Sequence, residues 1–138
     1  MYSFIRLIQL NMISWLEKNY IASLIIVFVI GGIIFYLSSL SFTQGSGGAS
    51  KFKAIAYHLV VFAFFSLFLC ISLTKGKEKK WLLPAILLAV IYGITDELHQ
   101  FLVPSRSSSF FDAIIDSFGI LIASTLYLAR IEYIKKYN

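Results

Sequence analysis

From Tyr20 to Leu40 the chain carries no charged residue, and that run limits the fold more than any other feature. About 20 apolar residues are enough to cross a hydrocarbon core as a helix. Inside lipid every backbone N–H and C=O must find a partner within the protein, so only helices and closed barrels span. Three further apolar stretches follow, from Ile55 to Thr74, Trp81 to Val103 and Phe110 to Ala129. The expected spans are therefore about 20–40, 55–74, 81–103 and 110–129, an all-α membrane protein built as a four-span helix bundle. Composition agrees: 59% of the 138 residues are hydrophobic and 14% are charged, with a mean hydropathy of +0.82. A soluble domain of this length would leave too much apolar surface in water, and a disordered chain has the opposite composition.

Residues 1–19 place Phe4, Ile5, Ile8, Met12, Trp15 and Leu16 at helical spacing, with Arg6, Gln9, Asn11, Glu17 and Lys18 between them. This pattern predicts an amphipathic helix lying at the membrane interface, too short and too polar to cross it. The apolar run after it begins too late and is too long for a signal peptide, so residues 20–138 are expected to form the transmembrane domain. Gly45 to Ser50 reads as a flexible loop and Lys75 to Lys80 as a basic hairpin connection. Gly31 and Gly32 allow close helix contact or a bend. Pro84 falls in the first turn of the third span, where a proline costs little, and Pro104 marks its end. Cys70 is the single cysteine, which excludes an intrachain disulfide and reads as a small apolar filler.

The net charge of +5 comes from basic residues scattered at span ends, which fits orientation and anionic lipid better than nucleic acid. Nine of them (Arg6, Lys18, Lys75, Lys77, Lys79, Lys80, Arg130, Lys135 and Lys136) fall on one side of the four spans, and three (Lys51, Lys53 and Arg106) on the other. The positive-inside rule then predicts both termini in the cytoplasm. Ser38, Ser39, His58, the end of the third span and the start of the fourth are expected toward the external face.

That face gathers the chemistry. Tyr92 to Gly119 holds Asp96, Glu97, His99, Gln100, Arg106, Asp112 and Asp116, including four of the seven acidic residues. A charge near a bilayer centre costs about 2.5–3.5 kcal/mol on insertion scales, so such residues face protein, water or a partner. Asp96, His99 and Gln100, at i, i+3 and i+4, share a helix face with Tyr92; Glu97 lies about 100° away but reaches Gln100. Asp112, Asp116, Gly119 and Ala123 form a second stripe whose small residues admit a neighbouring backbone. A short loop makes the two helices antiparallel neighbours, so both acidic patches meet beneath Arg106. His58, alone at the start of the second span, reads as an interfacial or helix-bonded residue ahead of a ligand.

Three chemistries fit: acid/base work by crowded carboxylates with His99, a divalent cation on Asp and Glu oxygens with His99, and recognition of a polar or cationic ligand. Asp96-x-x-His99 matches half of a helical carboxylate–histidine metal pair. The structural alternative is that Arg106 and the acids neutralise one another and pin the hairpin. Four carboxylates against one arginine still leave negative charge for a proton, a cation or a partner. Asp112 also fits a dipole-stabilised helix cap.

Tyr92, Asp96, Glu97, Gln100, Pro104, Arg106, Asp112, Asp116 and Gly119 follow the order aromatic, Asp-Glu-x-x-Gln, a Pro-Gly-Arg-like loop, then Asp-x-x-x-(Asn or Asp)-x-x-Gly. In this order the segment resembles the signature of the VanZ-like family of bacterial membrane proteins. Phe35 to Ser39 and His58 after a basic residue resemble it too. Ser105 stands where the family has glycine, and Lys53 precedes His58 by five positions instead of about three. The resemblance implies a small protein of the bacterial cytoplasmic membrane associated with glycopeptide resistance, to teicoplanin more than vancomycin, with no settled reaction. On that reading Asp96, Glu97 and Gln100 bind or activate a substrate, and Asp112 and Asp116 complete an acid/base or cation site. Arg106, His99, His58, Tyr92 and Ser39 bind it, Arg106 through an anionic group such as phosphate. The substrate is expected to be a lipid-linked wall precursor or a phospholipid headgroup at the outer face, with no cofactor beyond an unproven divalent cation. Catalysis is plausible on this reading and stays open, with no nucleophile motif to point to it. A non-catalytic scaffold of wall synthesis, or a small transporter, stays open.

Overall fold

The computed structural model describes residues 12–41, 48–104 and 109–137. Within them run a short helix α1 (residues 12–18) and four long ones, α2 (Tyr20–Ser38), α3 (Gly48–Thr74), α4 (Leu82–Leu102) and α5 (Phe110–Tyr137), with a 3-10 turn at Lys79–Trp81 before α4. The four long helices are each long and apolar enough to cross a membrane, which makes the chain a multi-pass membrane protein with lipid around it. α2 and α4 match the expected spans closely. The other two helices extend further: α3 begins at Gly48, and α5 continues past Ala129 to Tyr137. Hydropathy marks where lipid ends and not where a helix ends, and the basic residues Lys135 and Lys136 suit the negative end of the α5 dipole.

Of the expected interfacial helix, residues 12–18 are helical, with Trp15 exposed and Leu16 buried in the core; residues 1–11 lie outside the described residues. Asn19 interrupts it, its Nδ2 donating to the Trp15 carbonyl at 2.9 Å while its own carbonyl accepts the Ala22 N–H.

The bundle is apolar outside as well as within. α2 buries Ser23, Val27, Gly31, Ile34 and Ser38 and turns Phe28, Phe35 and Tyr36 outward. α4 buries Ala85, Ala89 and Gly93 before its polar end. Lipid tails are as apolar as leucine, so helices associate through small faces that allow close packing and through interhelical hydrogen bonds. α3 is the central element. It packs most extensively on α5 and also contacts α2 and α4. α3 and α5 run parallel in constant register, since His58 meets Asp116 and Ser66 meets Ser124 at the same sequence separation of 58. Between those two contacts lies Gly119, where any Cβ would overlap the Leu59 carbonyl oxygen. The close approach expected at Gly119 is present, and the approaching backbone is that of α3. Cys70 is fully buried, with its Sγ 3.5 Å from the Ser124 hydroxyl.

At the α3–α4 turn Lys75 and Gly76 both adopt left-handed backbone angles, φ 53° and 71°. A Cβ on Gly76 would stand 2.7 Å from Glu17 Cδ. Gly76→Ala therefore meets strain and a clash together. It is expected to lower stability by about 1–2 kcal/mol in detergent unfolding, the cost of one left-handed non-glycine residue; an unchanged midpoint would show that the turn relaxes.

Candidate functional site

The C-terminal ends of α2 and α4, the N-terminal half of α3 and the first turns of α5 meet at one end of the bundle. They divide the polar residues into two groups. The first joins α2 to α4. Ser38 Oγ donates to Asp96 Oδ1 at 2.6 Å, and Gln100 Nε2 donates to Asp96 Oδ2 at 2.7 Å and to Ser38 Oγ at 3.4 Å. All three residues are buried. The i, i+4 spacing of Asp96 and Gln100 sets the second bond, and Ser38 supplies the first from the last turn of α2. Asp96 thus has both oxygens engaged by neutral donors.

Beside this group, Ser39 Oγ donates to the Phe35 carbonyl at 2.8 Å and lies 2.9 Å from His99 Nε2. With the hydroxyl proton committed to Phe35, His99 Nε2 is the donor to Ser39. The His99 ring stacks on Phe35 with centroids 4.5 Å apart. His99 is half-buried and Ser39 exposed. Tyr92, expected in the polar set, donates its hydroxyl to the Gly31 carbonyl at 2.6 Å and stacks on Phe65 at 4.8 Å between centroids. It fastens α4 to α2 one level deeper, over the surface that Gly31 leaves open.

The second group joins α3, α4 and α5. His58 Nδ1 lies 3.0 Å from Asp116 Oδ1, and Glu97 Oε2 accepts the Ser109 backbone N–H at 3.0 Å. His58, Glu97 and Asp116 are 5%, 8% and 1% exposed. Each offers a ligand atom within 4.8 Å of the other two. Glu97 Oε1 and Asp116 Oδ2 are buried with no hydrogen-bond partner among the described residues. Gly93 packs against this group: a Cβ there would be in ordinary contact with Asp116 Oδ2 at 3.7 Å and tight against the Phe62 ring at 3.3 Å.

Asp112 is half-buried in the first turn of α5. The capping role open to it is taken by Ser109, whose Oγ accepts the Phe111 N–H at 3.2 Å and whose carbonyl accepts the Asp112 N–H at 2.8 Å. Asp112 keeps a position the helix dipole favours. Arg106 lies outside the described residues.

Three placements differ from expectation. Glu97 turns away from Gln100 toward Ser109, His58 and Asp116, because its 100° offset from Asp96 aims it at the α3–α5 side. His58 is not bonded through its side chain within its own helix; it is buried and bonded across to α5. Asp96 and His99 do not act as a pair, since they bond to separate serines of α2. Ser38 and the Ser109 backbone were not singled out as site groups. The Ser38–Ser39 doublet at a span end could have flagged the first, whereas a backbone N–H leaves no mark on a sequence. Chemically, both Asp96 oxygens are taken by donors, whereas the His58–Glu97–Asp116 group retains two acceptors without a partner among the described residues, available to a proton or a cation.

The family model described as VanZ/LLP1 matches residues 8–131, a range that contains both groups. Comparison with the curated proteins gives no match, and comparison with the solved structures gives none.

Proposed function

Because the chain belongs to the VanZ/LLP1 family and is a multi-pass membrane protein, we propose that it acts at the outer face of the bacterial cytoplasmic membrane on a cell-envelope component. The component is a lipid-linked wall precursor or a phospholipid headgroup, and the outcome is lower susceptibility to glycopeptides, teicoplanin above vancomycin. The observation that carries this reading is the burial of Asp96, Glu97, Gln100, Asp116 and His58 at one end of a lipid-facing bundle, with the partly open His99–Ser39 pair beside them. Polar residues at this depth are costly to insert, and helix packing alone does not call for so many. The excess of basic residues at the other end favours both termini in the cytoplasm.

In this reading His99 and Ser39 meet the headgroup, Arg106 holds its anionic group, and Asp112 and Asp116 serve the acid/base or cation chemistry. Asp96 sets the geometry of Gln100. A second reading, a non-catalytic scaffold of wall synthesis, draws on the buried Ser38–Asp96–Gln100 group, which joins α2 to α4 in the form of an internal staple.

Asp96→Asn separates the two. It keeps the shape, removes the charge and turns one acceptor into a donor facing Gln100 Nε2. In a glycopeptide-sensitive Gram-positive host, with membrane abundance matched, the wild type is expected to raise the teicoplanin inhibitory concentration and Asp96→Asn to return it to the empty-vector value. Equal protection by both would sink the role of Asp96 and favour the scaffold. No protection by the wild type would overturn the resistance reading.

A further inference from the structure

We propose that His58, Glu97 and Asp116 form a binding site for a divalent transition-metal ion such as Zn2+ or Mn2+. They come from three different helices, α3, α4 and α5, and their ligand atoms lie within 4.8 Å of one another. One imidazole nitrogen with two carboxylates is a mixed N/O donor set suited to these ions, and three protein ligands leave positions open for water or substrate. The expected carboxylate–histidine pairing was Asp96 with His99. The structure brings together a different triad, two of whose members are far apart in sequence from the third.

Burial alone would not make this a site. The second observation is that Glu97 Oε1 and Asp116 Oδ2 are enclosed and have no hydrogen-bond partner among the described residues. Both residues are more than nine-tenths buried. No lysine or arginine among the described residues pairs with either carboxylate; the one ionic partner there is His58 itself. Two ionised carboxylates with a neutral imidazole carry the charge that a divalent ion cancels.

The surroundings hold the ligands as outer-shell groups hold metal ligands elsewhere. The Ser109 N–H fixes Glu97 Oε2 and leaves Oε1 free. Phe62 lies parallel to the His58 ring at 6.4 Å, and Tyr57 meets its edge at 5.7 Å. The Ser109 contact also places the triad next to the start of α5. Metal binding here depends on the three side chains and not on the envelope reading, so either can fail alone.

The competing state is a His58–Asp116 ion pair beside a protonated Glu97. To decide between them, the full chain purified in detergent is stripped with a chelator and titrated with Co2+, whose ligand-field absorption reports coordination, and with Zn2+ in competition. One equivalent of Co2+ with visible ligand-field bands is expected, displaced by Zn2+. Glu97→Gln and His58→Gln are expected to weaken Zn2+ binding about 100-fold or more, beyond what loss of an outer-shell contact does; Glu78→Gln, at the far end of the bundle, is expected to bind as the wild type. Zn2+ should raise the unfolding temperature of the wild type and not of Glu97→Gln. Absence of Co2+ bands in the wild type would overturn the proposal even if every variant failed to fold. Wild-type affinity in a folded Glu97→Gln would overturn it as well.

Discussion

Glu17→Ala is expected to destabilise the folded protein by about 3–5 kcal/mol, the cost of breaking a buried ion pair from one side. Glu17 and Arg130 tie α1 to the far end of α5, with side chains 12% and 11% exposed. Arg130 Nη2 donates to Glu17 Oε2 at 3.2 Å and to Ser14 Oγ at 2.9 Å, and the Tyr127 hydroxyl donates to Glu17 Oε1 at 3.1 Å. Arg130 Nε and Nη1 are already buried without partners among the described residues. Removing the carboxylate leaves the guanidinium with Ser14 alone among the described residues, while the Tyr127 hydroxyl can turn to Thr74 Oγ1 at 3.1 Å. The stability should be read by denaturant unfolding in detergent. Glu17→Met with Arg130→Met is expected to recover most of the loss, because replacing both charges with apolar groups removes the orphan. A loss below about 1 kcal/mol for Glu17→Ala would mean that the pair behaves as a solvated surface bridge.

Gly119→Ala is expected to cost roughly 3 kcal/mol, the upper end of the usual overpacking range. The new Cβ would overlap the Leu59 carbonyl oxygen and stand 3.2 Å from the Ala63 nitrogen. Those are backbone atoms of α3, which cannot rotate aside as a side chain can, so α3 and α5 must separate. Separation would loosen the His58–Asp116 and Ser66–Ser124 contacts on either side together. Gly32→Ala is the control. Nothing lies within 4 Å of a Cβ there, and the helix should gain about 0.5–1 kcal/mol. Unfolding midpoints and membrane abundance of the two variants check both signs. If Gly119→Ala unfolds like the wild type, the helices are not held at backbone contact.

Several parts of the site are legible from local spacing. Asp96 and Gln100 are four residues apart on one helix, and their hydrogen bond follows from that. The small residue at Gly119 announced a close neighbour, though not which helix supplies it. His58 was the harder case. Its partner is Asp116, in another helix, and nothing in the residues around His58 names it. The i+3 spacing pairs Glu97 with Gln100, yet a carboxylate offset by about 100° from Asp96 faces whatever helix lies on that side. The Arg130–Glu17 pair joins the two ends of the chain, and neither residue sits in a pattern that marks it.

Length and hydropathy alone settle the all-helical class, the number of spans and the end of the bundle where acidic residues collect. Lipid forces each spanning backbone to satisfy its hydrogen bonds within its own helix, so that information is local and survives in the order of residues. Tertiary structure decides how each helix is rotated about its axis. That rotation divides the acids between a Ser38–Asp96–Gln100 group, in which both Asp96 oxygens are bonded, and a His58–Glu97–Asp116 group. The rotation is hidden in α2 because its residues are apolar on nearly every side, and lipid solvates a large apolar face as well as protein does. Only the fit of Ser23, Gly31 and Ser38 against the neighbouring helices selects the face that turns inward.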